Sequence, residues 1–215
     1  MYLEGVGNTL KVAVLALILG VVLGLLVAMV RTFHDQQREE RPGFLLGILN
    51  GICKVYTTVI RGTPMMVQLL IMAFVVFKSS RNLVGVAALA FGINSGAYVA
   101  EIFRSGIMSI DNGQFEAGRS LGFNYTQTML YIIMPQAFKN VLPALGNEFI
   151  VLLKETSVAG YIAIQDLTKG ADIIRSRTYS AFMPLMAAAV IYLVMVMIFT
   201  YFVQRLERRL RSSDH

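Results

Sequence analysis

The chain has 215 residues, of which 56% are hydrophobic and only 15% are charged. Soluble domains carry about a quarter charged residues, so this composition excludes an ordinary soluble domain and indicates an all-α integral membrane protein. The net charge is +6, but the basic residues flank apolar blocks, which argues against a nucleic-acid-binding face. The length suits one domain over residues 1–215, and the single cysteine, Cys53, excludes an internal disulfide.

Long apolar blocks predict a multi-pass protein with five membrane-spanning helices. The clearest block, residues 12–30, is long enough to cross roughly 28 Å of hydrocarbon at ~1.5 Å per residue. It contains Gly20 and Gly24 in a GxxxG spacing, which permits close approach of another helix. The bounds of the second span stay open, because Lys54 and Arg61 interrupt its apolar pattern. The predicted spans cover residues 10–31, 55–77, 83–103, 136–158 and 182–204.

The distribution of arginine predicts the orientation of these spans. Arg31, Arg38 and Arg41 follow the first span, and the tail over residues 204–211 is also basic. An odd number of spans puts the termini on opposite sides, and basic residues accumulate in the cytoplasm, so the N-terminus is predicted outside and the C-terminus inside. The loop over residues 105–128, between spans three and four, is then cytoplasmic.

This cytoplasmic loop carries the local signals of two short helices joined by a sharp bend. Asp111 can cap the first helix, and Gly122 can end it in a left-handed conformation. Asn124 and Gln127 have the spacing of a capping box at the start of the next helix. Gly118 is small enough for the backbone of a partner to come close, and apolar residues exposed on such an element usually mark a protein interface.

The same loop contains a motif of fixed spacing. It reads EAGRSLG over residues 116–122 and, nine residues later, IIMP over residues 132–135. This resembles the signature loop of ABC importer permeases, which reads E-A-A, three residues, G, nine residues and I-x-L-P. Gly118 stands where a second alanine is usual, and Met134 stands where leucine is usual.

The resemblance implies that the loop forms a coupling helix that docks on a separate ATPase subunit. It further implies two ATPase subunits, an extracytoplasmic amino acid-binding protein and a second permease subunit in the bacterial cytoplasmic (inner) membrane. The chain has no GxxxxGK[ST] phosphate loop, so it is predicted to be no enzyme and to hold no cofactor, with ATP and Mg²⁺ on the partner subunits. The residues implied to couple to the ATPase are Phe115, Glu116, Ala117, Gly118, Ser120, Leu121, Gly122 and Phe123.

The resemblance covers the whole chain and narrows to permeases that serve histidine, glutamine, glutamate, arginine and related substrates. Glu155 departs from this pattern, because aspartate is frequent there. The segments that carry the resemblance are residues 7–10, 60–64 with Gln68, 97–102 with Arg104 and Gly106, 147–149 and 154–157.

Polar and ionisable residues within predicted spans are the candidate substrate ligands, because such residues are costly in a membrane. Asn94, Tyr98 and Glu101 follow an i, i+4, i+7 spacing and form one helical stripe. Helix breaks, which expose backbone amides at membrane depth, are predicted at Gly62, Pro64, Pro135 and Pro143. The candidate substrate-binding residues are Arg61, Asn94, Tyr98, Glu101, Asn147, Glu148, Lys154 and Glu155.

An amino acid zwitterion needs an anion near its ammonium group and a donor near its carboxylate. One hypothesis assigns Glu101 or Glu155 to the ammonium, and Lys154, Arg61 or free backbone amides to the carboxylate. Alternatively, Glu101 pairs with Arg104 three residues on. By residue count Glu101 and Glu155 also lie near opposite faces of the membrane.

Two other classes of function are weaker. An ion-coupled secondary transporter for small polar solutes needs an internal inverted repeat, for which five spans offer little room. A membrane enzyme needs a catalytic constellation, yet the histidines, His34 and His215, lie in a loop and in the tail, and no metal-ligand set is evident. The preferred amino acid, and the choice between homodimer and heterodimer, stay open.

Overall fold

The computed structural model describes residues 1–36 and 43–211, and all regular structure within these ranges is helical. This confirms the predicted all-α class. Arg38, Arg41 and His215 lie outside the described residues. The α-helices are α1 Tyr2–Gln36, α2 Phe44–Gly62, α3 Met65–Ile71, α4 Leu83–Met108, α5 Asn112–Ser120, α6 Tyr125–Thr128, α7 Met134–Glu155, α8 Leu167–Thr178 and α9 Phe182–Arg211. One π-helical stretch, Met72–Val76, continues α3, and another, Met129–Ile133, joins α6 to α7. A 3₁₀ helix, Thr156–Ile162, follows α7.

Helices α1 and α4 form the central pair of the fold, and glycine allows their close approach. A Cβ atom added at Gly20 would lie 2.8 Å from the Oγ atom of Ser95. One added at Gly24 would lie 2.6 Å from the Cγ1 atom of Val99 and 2.8 Å from the backbone nitrogen of Ala100. The GxxxG pair of α1 is therefore a helix interface, as its spacing predicted.

A methyl group at Gly24 should consequently destabilise the fold. Gly24→Ala is expected to cost about 1–3 kcal/mol, because the added carbon meets both a side chain and the backbone of α4. Gly7→Ala is the matched control, since it lies on the same helix with nothing within 4 Å of the added carbon. Thermal unfolding in detergent measures both variants, and equal melting temperatures would contradict the proposed close packing.

Helix α8 packs against the start of α1 and against α9. Its N-cap, Asp166, is buried, and its carboxylate accepts hydrogen bonds of 3.1 Å from the backbone amides of Thr168 and Lys169. The amide of Leu167 donates to Thr9 Oγ1 at 3.3 Å. Burial raises the pKa of the Asp166 carboxyl, and the hydrogen bonds from the Lys169 and Thr168 amides oppose that rise. These contacts fix the end of the molecule that lies away from α5.

Four described helices are long and apolar enough to cross a membrane: Tyr2–Asp35, Phe44–Gly62, Leu83–Met108 and Phe182–Leu210. The predicted second span, residues 55–77, is divided between α2 and α3, because the helix ends at Gly62. The predicted fourth span, residues 136–158, covers most of α7 but runs beyond it into the 3₁₀ helix. The count of five spans and their orientation stay predictions.

The predicted helix breaks divide into two groups. The backbone is extended at Thr63 and Pro64, between the end of α2 and the start of α3. Pro135 and Pro143 do not break the helix, so the helix breaks predicted at these two prolines were wrong. Pro135 lies in the first turn of α7, where a missing N–H costs little, and Pro143 lies inside the continuous helix. Helices in membranes tolerate internal proline when neighbours satisfy the backbone.

Candidate substrate cavity and coupling element

An open cavity of about 380 Å³ lies between α2, α4 and α7. Side chains of α4 and α7 face each other across it, and the end of α2 closes one side. Ser105 and apolar side chains complete the lining. Five of the eight candidate substrate-binding residues line this cavity, namely Arg61, Tyr98, Glu101, Asn147 and Glu148.

Arg61 supplies a cation to this cavity. Its guanidinium carbon lies 5.4 Å from the centre of the Tyr98 ring, so a cation–π contact orients the side chain. Arg61 is exposed, and no carboxylate lies within ion-pair distance of it in the described parts of the chain. The guanidinium is therefore held in place yet available to an anionic ligand.

Glu101 is committed to two arginines. Its carboxylate accepts from Arg104 Nε at 3.1 Å and lies 3.5 Å from Arg31 Nη1. The pairing with Arg104 is the alternative that the i, i+3 spacing offered. In the sequence, Arg31 indicated only the orientation of the spans in the membrane. Its contact with Glu101 was not predictable, because that contact depends on the packing of α1 against α4. Two cations on one carboxylate leave Glu101 poorly suited to bind a substrate ammonium.

Glu148 is the anion of the cavity that has no cationic partner. Its Oε1 atom accepts a hydrogen bond of 2.7 Å from Ser95 Oγ, and no lysine or arginine of the described residues lies within ion-pair distance. Ser95 is fully buried in α4. No pattern in the sequence pointed to this serine, since one small polar residue in an apolar helix is ordinary. Glu148 therefore has a fixed position and no ion-pair partner among the described residues.

Three candidate residues do not line the cavity. Asn94 is buried, and its amide nitrogen donates to Gln68 Oε1 at 3.0 Å. Lys154 and Glu155 lie roughly two turns beyond Glu148 along α7, where the helix gives way to the 3₁₀ segment. The polar residues of α7 thus continue past the cavity, which Glu101 lines and Glu155 does not.

The predicted coupling element, residues 111–128, has the local structure that its sequence predicted. Asp111 caps α5 by accepting from the amide of Gly113 at 2.7 Å. Gly122 has a φ of +83°, the left-handed conformation that glycine adopts without strain. Asn124 and Gln127 form a reciprocal capping box with two hydrogen bonds of 2.9 Å. Helix, bend and helix are each specified by adjacent residues.

The predicted coupling residues divide into an outer face and an inner face. The Phe115 ring stacks on Tyr125 with centroids 6.2 Å apart, and Gly118 is buried. We expected Gly118 to admit the backbone of a partner, but the space beside it is filled by Thr128 of α6 and by Ile132. The exposed face consists of Glu116, Ala117, Ser120, Leu121, Gly122 and Phe123.

The contact between Gly118 and Thr128 predicts an effect of restoring the usual alanine. A Cβ atom at Gly118 would lie 2.7 Å from both Cγ2 and Oγ1 of Thr128. Gly118→Ala should loosen α5 from α6, at a cost of about 1–3 kcal/mol, and Thr128→Ala in the same chain should restore the packing. Limited proteolysis within residues 111–124 measures this, and an unchanged cleavage rate in Gly118→Ala would contradict the expectation.

Comparison with known proteins identifies the family to which this architecture belongs. Residues 43–212 match the family described as the binding-protein-dependent transport system inner membrane component. The chain is 39% identical to the arginine transport system permease protein ArtQ of Bacillus subtilis, over 99% of this chain and 93% of the relative. It is 35% identical to the glutamine transport system permease protein GlnP of Escherichia coli K12, over 98% of this chain and 93% of the relative.

Solved structures give the same result. The crystal structure of an amino acid ABC transporter with histidines matches with a TM-score of 0.87 and 42% identity, over 97% of this chain and 93% of that chain. An inward-facing structure of the MetNI methionine ABC transporter matches with a TM-score of 0.80, over 97% of this chain and 95% of that chain. At 19% identity, this second match shows the fold alone.

The helical fold, the polar cavity and the projecting α5 define the membrane-embedded permease subunit of an ABC importer. The chain belongs to the family of binding-protein-dependent transport system inner membrane components. In this class the ATPase resides in separate subunits.

Proposed function

We propose that this permease imports a polar amino acid, with Arg61 binding the substrate carboxylate and Glu148 binding the ammonium group. The observation that carries the proposal is the presence of both side chains in one cavity, neither of them within ion-pair distance of an opposite charge among the described residues. Binding a zwitterion satisfies both charges at once, whereas an ion pair already formed would gain less. The arginine and glutamine permeases among its relatives support this class of substrate.

The structure changes which residues the proposal uses. Glu148 takes the place of Glu101 and Glu155, because Glu101 is held by two arginines and Glu155 lies outside the cavity. Arg61 takes the place of Lys154 for the same geometric reason. Tyr98 and Asn147 add an aromatic ring and an amide to the lining. An ion-coupled transporter is disfavoured, because family membership assigns the energy source to ATP.

The proposed complex contains this permease, a second permease subunit, two ATPase subunits and an extracytoplasmic amino acid-binding protein. The exposed face of α5 would contact an ATPase subunit, and ATP with Mg²⁺ would bind there and not on this chain, which itself catalyses no reaction. The complex would lie in the bacterial inner membrane. The family description and the exposed Leu121 and Phe123 of the coupling element support this arrangement.

A binding experiment with substrate analogues tests the substrate class. The permease is purified with its ATPase subunits, without the binding protein, and titrated with radiolabelled arginine, glutamine and histidine. Competition with an amino acid amide, which lacks the carboxylate, and with a deaminated acid, which lacks the ammonium, separates the two charge contacts. We expect both analogues to compete about 30-fold less well than the parent amino acid, as expected for about 2 kcal/mol per unpaired charge. Equal competition by either analogue would refute the corresponding contact.

A further inference from the structure

The side chain of Gln68, in α3, bridges the break between α2 and α3. Its Nε2 atom lies 2.8 Å from the carbonyl oxygen of Ile60 and 2.7 Å from Oγ1 of Thr63. The carbonyl oxygen of Thr63 lies 3.2 Å from the same nitrogen. The amide nitrogen of Gln68 therefore bridges the last turn of α2 and the extended residue that follows it.

These contacts provide hydrogen-bond donors for carbonyl groups that the end of α2 leaves without partners in the helix. A helix leaves its last four carbonyl groups without partners in the helix, and an unpaired carbonyl is costly where water is scarce. Gln68 donates to the carbonyl of Ile60, and Thr63 Oγ1 donates to that of Val59 at 2.8 Å. Two of the last four carbonyl groups of α2 thus accept hydrogen bonds from side chains that follow the helix, those of Thr63 and Gln68.

The other end of the Gln68 amide is tied to α4. Its Oε1 atom accepts a hydrogen bond of 3.0 Å from Nδ2 of Asn94, which is buried one turn before Tyr98. The nitrogen of the Gln68 side-chain amide is therefore hydrogen-bonded to α2, and its oxygen is hydrogen-bonded to α4. Arg61 lies between Ile60 and Thr63, whose carbonyl groups accept hydrogen bonds from Gln68, and its guanidinium stacks on Tyr98.

We propose that Gln68 is a positioning residue that sets the place of Arg61 in the substrate cavity by linking the end of α2 to Asn94 of α4. This role rests on the proposed function of Arg61. Gln68 does not line the cavity, so it acts through Arg61 and not by touching the substrate. Without the bridge, the end of α2 would lose its hydrogen-bonded link to Asn94 of α4, and the turn that carries Arg61 would be less firmly placed.

A double-mutant cycle on the purified permease–ATPase complex tests the role. Gln68→Leu is expected to weaken binding of the amino acid about fivefold to tenfold, and Arg61→Ala more strongly. In the Arg61→Ala background, Gln68→Leu should have almost no further effect, because the side chain that it positions is gone. Gln165→Leu is the matched control: Gln165 is a half-buried glutamine whose Nε2 donates to Glu4 Oε2 at 3.0 Å, outside the cavity.

The outcomes separate this role from mere stability and from the proposed function. If Gln68→Leu binds like the unsubstituted complex, or if its effect is the same with and without Arg61, the positioning role is wrong while the substrate site stands. If the unsubstituted complex binds no amino acid, the substrate site and this role both fail.

If Gln68→Leu does not fold, Asn94→Ala replaces it, since that change leaves the carbonyls of Ile60 and Thr63 satisfied and breaks only the link to α4. Its weakening of binding should also disappear in the Arg61→Ala background, and an additive effect would overturn the proposal.

Discussion

Glu148→Gln is expected to weaken binding of the transported amino acid by roughly 30-fold or more, corresponding to about 2 kcal/mol, and to reduce import accordingly. The substitution keeps the size of the side chain and an oxygen that can accept from Ser95 Oγ. It removes the negative charge that we assign to the substrate ammonium. Binding of the deaminated analogue should therefore change little, because that analogue has no ammonium to lose a partner.

The control for this prediction is Glu155→Gln. It makes the same chemical change on the same helix, but Glu155 does not line the cavity. Uptake into proteoliposomes that contain the complete complex, together with equilibrium binding to the complex in detergent, measures both variants. Equal effects of Glu148→Gln and Glu155→Gln would show that a general loss of charge in α7 is responsible, and would remove Glu148 from the site.

Gly122→Trp is expected to reduce ATP hydrolysis stimulated by the loaded binding protein at least about tenfold, with unchanged membrane insertion. The φ of +83° at this residue costs a residue with a Cβ atom about 1–2 kcal/mol, and the indole would also cover the exposed face of α5. Glu116→Lys should act in the same direction, because it reverses the charge on that face. Co-purification of the ATPase subunits and their stimulated turnover measure the effect.

Gly122→Asn provides the matched control, because asparagine tolerates the left-handed conformation better than most residues and is much smaller than tryptophan. It should retain most of the stimulated turnover. Normal turnover in both Gly122→Trp and Glu116→Lys would refute the docking role of α5, whereas loss in Gly122→Asn as well would assign the requirement to the bend and not to the exposed surface.

The cavity gives different roles to its two acidic residues. Glu101 links α1 to α4 through Arg31 while it also binds Arg104 on its own helix. Glu148 is held only by the neutral Ser95 among its described neighbours. A carboxylate between two guanidinium groups is stable without substrate, whereas a carboxylate beside one hydroxyl group still lacks a countercharge. The same residue type thus holds helices together in one place and remains available to a ligand in the other.

The structure of the coupling element was predictable because adjacent residues determine it. The caps at Asp111 and Asn124 and the left-handed Gly122 follow from backbone sterics and short-range hydrogen bonds, and each was found. Gly118 was misjudged, since its neighbour Thr128 lies on the following helix and nothing local reveals their contact. Pro135 and Pro143 were misjudged because proline breaks a helix only where the surroundings leave the backbone unsatisfied.

The amino-acid sequence by itself determined the class of the protein, its all-helical fold and the local structure of the coupling element, because apolar block length, capping and fixed spacing are properties of neighbouring residues. The tertiary structure alone decided which charged and polar side chains meet. The approach of Arg31 to Glu101, of Ser95 to Glu148 and of Gln68 to Asn94 joins residues 70, 53 and 26 positions apart. Ion pairing falls off over a few ångströms, so whether a charge is neutralised or available to a substrate depends on helix packing, which no local pattern specifies.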